Sequence, residues 1–581
     1  MKAAASNYAG PPRGKISEER FSDFSLIHDL RVPARDGVEL SLDLLRPESD
    51  QPLPVVLVRT PYDKVMAREA EKDLHDLLVR RGYIVAINDS RGRFNSDGEF
   101  FPLINEHADG YDVIEWIAAQ DWCDGNIGMV GGSYVAWNQW YAASEAPPHL
   151  KAIVPTVSPP TSAWRNEPIQ NGVFRTCFAE WLVGMGRRSY QLGQWAMNAY
   201  VEQQDYYEAL PFAGLAKQVH VESEWWKEYM RHPNYDDFWK AAGYGPHSKI
   251  RVPALNISGW WDLNFPGSPE NFEGMRADGA TEESRTGAKL VIGPWAHRVN
   301  NSRILSGVDF GEQAVIELNE YVIRFLDRWL KGEENGIEHE APVYVYVINT
   351  NEWRAESDWP LPGTEYVPFY FHSNGHANSL LGDGVLSREA PAEGEPGADQ
   401  YDYDPETVER TLWSLAEGPV DDRLASARND VLCYTTEPLS EPLEVIGWVT
   451  CELYAASSAL DTDWHARLVD VTPDGTARFL CHGVLRARFR ESLEKPKLLE
   501  PGEPTFFEFT MDATGIRFQP GHRIRVEIMS SWFTQFARNL NTGAENPYEE
   551  GEPVVAHQTV FHRPGLESRI LLPVVPPPAA S

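Results

Sequence analysis

MVGGSYVA, residues 129–136, is the stretch that decides the fold. It joins an apolar run to a helix-forming segment through two glycines and a serine, which predicts a buried strand, a tight turn and a helix. Such a turn lifts the hydroxyl of Ser133 clear of the sheet, and the start of the helix favours negative charge beside it. The stretch predicts a nucleophile elbow, although such elbows have glycine where this chain has Val135. An ordinary Gly-Gly-Ser loop is the alternative.

Short apolar runs lie on both sides of this stretch and alternate with helical segments. The runs are residues 55–58, 83–87, 127–130, 152–154, 252–257 and 288–292. Apolar strands that alternate with helices are typical of a mainly parallel sheet covered on both faces. The sequence therefore predicts an α/β core.

Two further regions have a different pattern. From about residue 159 to 245 the strand runs stop, and tryptophan and tyrosine lie among helix-forming residues, which indicates a helical cap. After about residue 353 apolar and polar residues alternate, which favours a β-sandwich or jelly roll. We therefore expect an α/β core at 1–147 and 250–354, a cap at 148–249, and a jelly-roll domain at 355–581.

Two later strand ends carry residues that could activate a serine. Asp262 follows the run at 252–257, and His297 follows the run at 288–292. The order serine, acid, histidine is that of α/β hydrolases, and the carboxyl ends of parallel strands meet at one edge of the sheet. Tyr62, after the early run at 55–58, could donate its hydroxyl to an oxyanion, although a packed loop tyrosine is the alternative.

Composition excludes several classes of protein. The chain has 581 residues, with 86 acidic and 52 basic side chains and a formal net charge of −34, which disfavours binding to nucleic acid or to anionic membranes. Five scattered cysteines without a Cys-x-x-Cys pair indicate a reducing compartment and no structural zinc. We find no signal peptide, membrane-spanning run, nucleotide-binding loop or metal motif. The sequence predicts a cytoplasmic protein without a cofactor.

Several motifs together resemble one known family. They are RTPYDK at 59–64, DSRGR at 89–93, GGSY at 131–134, GWWD at 259–262, GPWAH at 293–297, PGHR at 520–523 and RNLNTG at 538–543. Nearly the whole chain resembles the cocaine esterase branch of the prolyl dipeptidyl peptidase superfamily, the CocE/NonD hydrolases. The resemblance implies an α/β-hydrolase core, a helical cap and a C-terminal jelly roll.

The resemblance also implies roles for individual residues. Ser133 would be the nucleophile, His297 the base and Asp262 the acid that orients it. The Tyr62 hydroxyl and the Tyr134 amide would be the oxyanion donors. Trp181 is similar to a cap tryptophan that lines the acyl pocket, and Trp164 and Phe265 are further candidates for substrate binding. The family pattern ends in glycine where this chain has Ala136, which is also small.

The leading interpretation is a serine esterase that cleaves small carboxylic esters through an acyl-enzyme. The alternative is an amide hydrolase, either a prolyl dipeptidyl peptidase or an α-amino-acid ester or β-lactam acylase, which would need carboxylates for a substrate ammonium. Residues 159–165 contain no acid, but Glu167, Glu180 and Glu202 in the cap could supply the charge. A non-catalytic binding protein is a third interpretation, disfavoured by the intact triad. We expect a small-molecule ester as substrate, and a homodimer is compatible with the sequence.

Overall fold

The computed structural model describes residues 17–576, with gaps at 22–23, 187, 190–209, 219–220, 222, 395, 408–417, 422 and 550. The strands up to residue 356 are β1 Ser17–Arg20, β2 Phe24–Pro33, β3 Glu39–Pro47, β4 Leu53–Thr60, β5 Ile84–Asp89, β6 Cys123–Gly132, β7 Leu150–Thr156, β8 Ile169–Gln170, β9 Val173–Phe174, β10 Leu255–Gly259, β11 Lys289–Gly293, β12 Ile304–Leu305, β13 Val308–Asp309, β14 Val343–Val347 and β15 Glu352–Glu356. The helices are α1 Lys64–Ala70, α2 Lys72–Arg80, α3 Glu106–Ala118, α4 Tyr134–Ser144, α5 Cys177–Met185, α6 Leu215–Gln218, α7 Glu224–Arg231, α8 Asp237–Ala241, α9 Gly267–Asp278, α10 Glu282–Thr286, α11 Leu318–Leu330 and α12 Arg423–Ser426.

The central sheet runs in the order β1-β2-β3-β5-β4-β6-β7-β10-β11-β14-β15. Its middle strands, from β5 through β4, β6, β7, β10 and β11 to β14, pair in parallel. The outer strands pair antiparallel. Buried aliphatic residues fill the parallel strands because helices cover both of their faces. This arrangement confirms the predicted α/β core.

Helix α11 covers the face of the sheet that lies opposite the cap. Leu326 and Leu330 pack so closely on Gly128 of β6 that a Cβ atom there would lie 3.1 Å from each of them. Val322 and Phe325 of the same helix are buried in that layer. The apolar face of helix α11 therefore lies against the strand that leads to Ser133.

The cap, residues 157–249, lies between β7 and β10 and contains helices α5 to α8. The sequence placed its start at residue 148, but Leu150–Thr156 is strand β7 of the central sheet, paired in parallel with β6 and β10. The start of the cap is corrected to residue 157, because a strand hydrogen-bonded on both sides belongs to the sheet. The other predicted domain boundaries stay predictions.

The β domain, residues 365–574, follows the sheet. Its strands are β16 Glu365–His372, β17 Val385–Ser387, β18 Ala398–Tyr403, β19 Leu432–Thr435, β20 Leu443–Ser457, β21 Asp463–Val471, β22 Ala477–Arg486, β23 Thr505–Phe518, β24 Arg523–Met529, β25 Ala556–Arg563, β26 Leu566–Glu567 and β27 Arg569–Val574. They pair mostly antiparallel, as expected for a C-terminal all-β domain. Their buried apolar residues form one continuous core with those of the cap and of one face of the central sheet.

Two tryptophans attach the loop after β10 to the β domain. The Nε1 atom of Trp261 donates to the carbonyl oxygen of Phe479 at 3.1 Å. The Trp260 ring lies on Gly515, where a Cβ atom would be 2.2 Å from Cζ2 of the indole. The β domain therefore fixes the loop that carries Asp262.

Candidate active site

Ser133 lies at a sharp turn between strand β6 and helix α4. Its backbone has φ 62° and ψ −128°, a strained conformation for a residue with a side chain. The Ser133 amide donates to the carbonyl oxygen of Thr156 at 3.0 Å, and its own carbonyl accepts from Ala136 at 2.9 Å to start the helix. The predicted strand, turn and helix are therefore present around Ser133.

Gly131 explains how the turn accepts Val135. Gly131 has φ 132°, and a Cβ atom on it would lie only 2.3 Å from Cγ1 of Val135. Nucleophile elbows usually have a glycine two residues after the serine, which leaves space in the turn. Here Gly131, two residues before the serine, leaves that space. Ala136 is fully buried in α4. Val135, which departs from the usual elbow, and Ala136, which departs from the family pattern, therefore both fit the turn.

Asp262 and His297 follow neighbouring parallel strands, β10 and β11. The Nδ1 atom of His297 lies 2.7 Å from Oδ1 of Asp262, which is buried. Oδ2 of Asp262 accepts a hydrogen bond from the Ser258 hydroxyl at 3.1 Å. Because Nδ1 of His297 is engaged by the acid, Nε2 is the ring nitrogen that would exchange a proton with a nucleophile.

Ser133, His297 and Tyr62 line one cavity of about 350 Å³. Tyr62 follows strand β4, and its phenol oxygen accepts a hydrogen bond from Nε1 of Trp181 at 3.2 Å. The structure therefore brings the candidate nucleophile, base and oxyanion tyrosine together on one side of the sheet.

Tyr134 also lines this cavity, but its hydroxyl is engaged elsewhere. The phenol oxygen accepts from the Leu103 amide at 3.0 Å, and the hydroxyl donates to Glu106 at 3.2 Å. Burial raises the pKa of Tyr134 well above its usual value. Its backbone amide belongs to the first turn of α4, where amides have no acceptor within the helix. Tyr134 can therefore act through its amide.

Apolar side chains form most of the remaining wall, and two polar ones interrupt it. The apolar members are Trp137, Pro159, Phe178, Trp181, Met185 and Leu263. The polar members are Glu167 and Cys177, whose thiol donates to Oε1 of Glu167 at 3.3 Å. Burial raises the pKa of Glu167, while the neighbouring Arg175 opposes this shift. The cavity is therefore largely aromatic with one carboxyl group in its wall.

A second cavity of about 210 Å³ adjoins the first, and Cys177 and Leu263 belong to both. This second cavity lies between the core and the β domain, and its lining residues include Asp262, His482 and Asp512. Within residues 17–576, apart from the gaps named above, no group of His, Cys, Asp and Glu is placed to hold a metal ion. No helix of that part of the chain is both long and apolar enough to cross a membrane.

Comparison with known proteins identifies the family. A model described as X-Pro dipeptidyl-peptidase (S15 family) matches residues 36–299, and one described as X-Pro dipeptidyl-peptidase C-terminal non-catalytic domain matches residues 335–571. The chain is 37% identical to a cocaine esterase of Rhodococcus sp. over 95% of its own length and 99% of that protein. The chain belongs to the cocaine esterase-like, CocE/NonD branch of the S15 family.

Solved structures agree with this assignment. An α-amino acid ester hydrolase matches with a TM-score of 0.82 and 25% identity over 99% of this chain and 100% of that one. An aminopeptidase from a marine sediment Thaumarchaeota archaeon matches with a TM-score of 0.82 and 26% identity over 98% and 99% of the two chains. This CocE/NonD hydrolase is a serine ester hydrolase, as the sequence predicted. The predicted α/β-hydrolase core with a C-terminal β domain is also confirmed.

Two of the predicted substrate-binding residues of this CocE/NonD hydrolase lie outside the cavity at Ser133. Trp164 is fully buried within the cap, where its ring packs on Trp239 and on Phe489 of the β domain. Phe265 packs on Trp260 and lines the second cavity. Neither ring lines the cavity at Ser133, because each packs against other aromatic rings, and a role of these two residues in substrate binding stays a prediction. Trp181 does line the cavity.

Several residues that line the cavity were not predicted from the sequence, and three of them lie on helix α5. Cys177, Phe178 and Met185 lie on α5 four residues before, three before and four after Trp181. Helical spacing around Trp181 was the signal that could have found them. Of the acids considered in the cap, Glu167 lines the cavity. Glu202 and the side chain of Glu180 lie outside the described residues.

Proposed function

We propose that this hydrolase cleaves small carboxylic esters through an acyl-enzyme formed on Ser133, with His297 and Asp262 completing the triad. One observation carries the proposal: Ser133, His297 and Tyr62 line a single cavity, and Asp262 holds Nδ1 of His297 at 2.7 Å. The triad chemistry needs this combination of a nucleophile on a strained turn, a base and an acid that orients it.

The reaction has two halves. Nε2 of His297 takes the Ser133 proton while Oγ attacks the ester carbonyl, and the tetrahedral intermediate then expels the alcohol, which receives that proton. Water enters, loses a proton to His297 and attacks the acyl-enzyme, and the carboxylic acid leaves as Ser133 regains its proton. The negatively charged oxygen of both intermediates receives hydrogen bonds from the Tyr62 hydroxyl and the Tyr134 amide. One such donor contributes about 10²–10³-fold to kcat.

The substrate we propose is an ester with an aromatic or short-chain acyl group. Phe178, Trp181 and Trp137 supply flat apolar walls beside Ser133. A cavity of about 350 Å³ has room for a small molecule. The similarity to a cocaine esterase supports the same choice, because its named substrate is an ester.

Labelling and a substrate panel test this proposal. A fluorophosphonate should label the wild-type protein stoichiometrically at Ser133, and the Ser133→Ala variant should neither be labelled nor turn over p-nitrophenyl butyrate. A panel of p-nitrophenyl butyrate, a benzoyl ester and alanyl-prolyl-p-nitroanilide, run on one preparation, should show higher kcat/KM for both esters. Labelling elsewhere, or faster turnover of the anilide, would contradict the proposal.

A second candidate is the hydrolysis of esters or amides of α-amino acids. Glu167 favours it, because a carboxyl group in the acyl wall could bind a substrate ammonium. The α-amino acid ester hydrolase and the aminopeptidase among the structural matches support it as well. Comparing p-nitrophenyl esters of alanine and of propionate separates the two candidates, since these acyl groups differ by the amine alone.

We also propose a cytoplasmic location and no nucleic-acid partner. Five cysteines without a disulfide support the first, and the formal charge of −34 supports the second. The homodimer stays a proposal, which sedimentation at several protein concentrations would test.

A further inference from the structure

Trp181, in helix α5 of the cap, contacts both residues proposed to bind the oxyanion. Its indole Nε1 donates a hydrogen bond to the phenol oxygen of Tyr62 at 3.2 Å. Its ring stacks on the ring of Tyr134, with centroids 5.5 Å apart and 25° between the planes. One side chain of the cap therefore contacts both residues, which come from separate segments of the core.

The backbone on either side of Tyr62 is already fixed by the core. Nε of the buried Arg93 donates to the carbonyl oxygen of Pro61 at 2.8 Å. The Lys64 amide donates to Oδ1 of the buried Asp89 at 2.8 Å. These bonds hold the main chain but do not reach the phenol. The orientation of the hydroxyl is set by groups around the ring.

The indole hydrogen bond orients that hydroxyl. A phenol oxygen accepts and donates close to the plane of its ring, so an indole hydrogen on one side directs the O–H of Tyr62 to the other side. Accepting this bond also polarises the O–H and makes it a stronger donor. The contact with Trp181 uses an oxygen lone pair and not the phenolic hydrogen. It can therefore persist while Tyr62 donates to an oxyanion.

The position of Trp181 depends in turn on the packing of the cap. Its ring lies 4.9 Å from that of Phe178, 5.7 Å from that of Trp225 and 6.1 Å from that of Phe100, measured between centroids. Phe178 and Trp225 are buried residues of α5 and α7. A displacement of α5 would move the indole and withdraw its hydrogen bond from Tyr62.

We propose that Trp181 is a positioning residue that completes the oxyanion site by holding the Tyr62 hydroxyl, so that the cap must be in place for full activity. This inference rests on the proposed role of Tyr62. It goes beyond the acyl-wall role of Trp181, because it assigns the indole N–H an effect on kcat. A residue that only lines the acyl cavity would alter KM and acyl-chain preference instead.

A double-mutant cycle tests the inference. Trp181→Phe keeps an aromatic ring but removes the N–H, and Tyr62→Phe removes the hydroxyl that the N–H holds. With p-nitrophenyl butyrate, Trp181→Phe should lower kcat about tenfold, the value of one hydrogen bond, with little change in KM. In the Tyr62→Phe background the same change should cost nothing further. Trp239→Phe, which alters a buried ring of the cap that packs on Trp164, is the control and should have the same effect in both backgrounds.

A second variant separates the N–H from the packing of the indole. Benzothienylalanine at position 181 has the shape of tryptophan and no N–H, so it should reproduce the loss in kcat with unchanged thermal unfolding. Binding of a boronic acid, which forms a tetrahedral adduct on the serine, should weaken by the same factor as kcat.

Three results would overturn the inference. Equal losses from Trp181→Phe in both backgrounds, or a change in KM with unchanged kcat, would remove the positioning role while leaving the oxyanion role of Tyr62 intact. A wild-type kcat in Tyr62→Phe alone would overturn the oxyanion role and the inference together.

Discussion

The Nδ1 atom of His297 lies 2.7 Å from Oδ1 of Asp262, and the two residues follow parallel strands that are direct neighbours in the central sheet. The acid is buried and is held by Ser258 on its other oxygen, at 3.1 Å. The β domain fixes the same loop through Trp261. The acid is therefore held from three sides before any substrate binds, which fixes the ring orientation of the proposed base.

Asp262→Asn should leave the fold intact and nearly abolish turnover. The amide would present an N–H₂ or a weaker acceptor to Nδ1, which removes the charge that stabilises the protonated imidazole. We expect kcat to fall about 10³–10⁴-fold, as for triads in which the acid is replaced by its amide. Kinetics with p-nitrophenyl butyrate and a thermal unfolding curve provide the measurement. Ser258→Ala, which removes the other contact of the acid, should cost far less, and an equal loss would mean that loop distortion is responsible.

Gly131→Ala should damage the turn at Ser133. The new Cβ would lie 2.3 Å from Cγ1 of Val135, and a φ of 132° disfavours any side chain. We expect a loss of about 1–3 kcal/mol in stability and slower labelling of Ser133 by a fluorophosphonate. Adding Val135→Ala removes the colliding methyl groups and should restore part of both quantities. No recovery in the double variant would mean that the backbone conformation alone, and not the contact, requires glycine.

The sequence predicted the parts of this molecule that local patterns determine. Three features were located correctly from such patterns. They are the turn at residues 131–133, the strand ends before Asp262 and His297, and the all-β region after residue 353. Those local patterns do not show how side chains that are far apart in the sequence contact one another. Trp164 and Phe265 are aromatic, as many pocket residues are. In the folded protein, however, their rings pack against Phe489 and Trp260. The bond between Trp181 and Tyr62 joins residues 119 positions apart and has no local signal.

Asp512→Asn should change stability in a pH-dependent way. Burial raises the pKa of Asp512 from 3.8 to about 6, although Arg165 and Arg175 oppose the shift. The folded protein therefore binds this proton more tightly than the unfolded chain does, and the wild type loses stability as pH rises from about 4 to 6. The asparagine does not titrate, so the variant should gain about 1–3 kcal/mol relative to the wild type between pH 4 and 8.

Urea unfolding of both proteins at several pH values measures this difference. Asp474→Asn is the matched control, because hydrogen bonds from Thr472 and Thr476 lower the pKa of this exposed acid to about 2. Its effect should be constant above pH 5. A difference for Asp512→Asn that grows as the pH falls would reverse the sign and contradict the burial argument.

Glu167→Gln should distinguish substrates by charge while leaving the ester chemistry in place. Glu167 lines the cavity with Ser133, and its Oε1 accepts a hydrogen bond from the weakly polar thiol of Cys177 at 3.3 Å. For p-nitrophenyl propionate, which has no charge, we expect kcat/KM within about threefold of the wild type. For the alanine ester, whose ammonium would lie in the acyl cavity, removing the carboxylate should lower kcat/KM at least about tenfold.

Cys177→Ala is the control, because it removes the neighbour of the carboxyl group but not its charge. It should change kcat/KM for both esters by the same factor. Because burial raises the pKa of Glu167, the two esters are compared at pH 8, where its carboxylate form is more populated than at lower pH. Equal losses for the two esters in Glu167→Gln would show that Glu167 supports the cavity wall and does not recognise an amine.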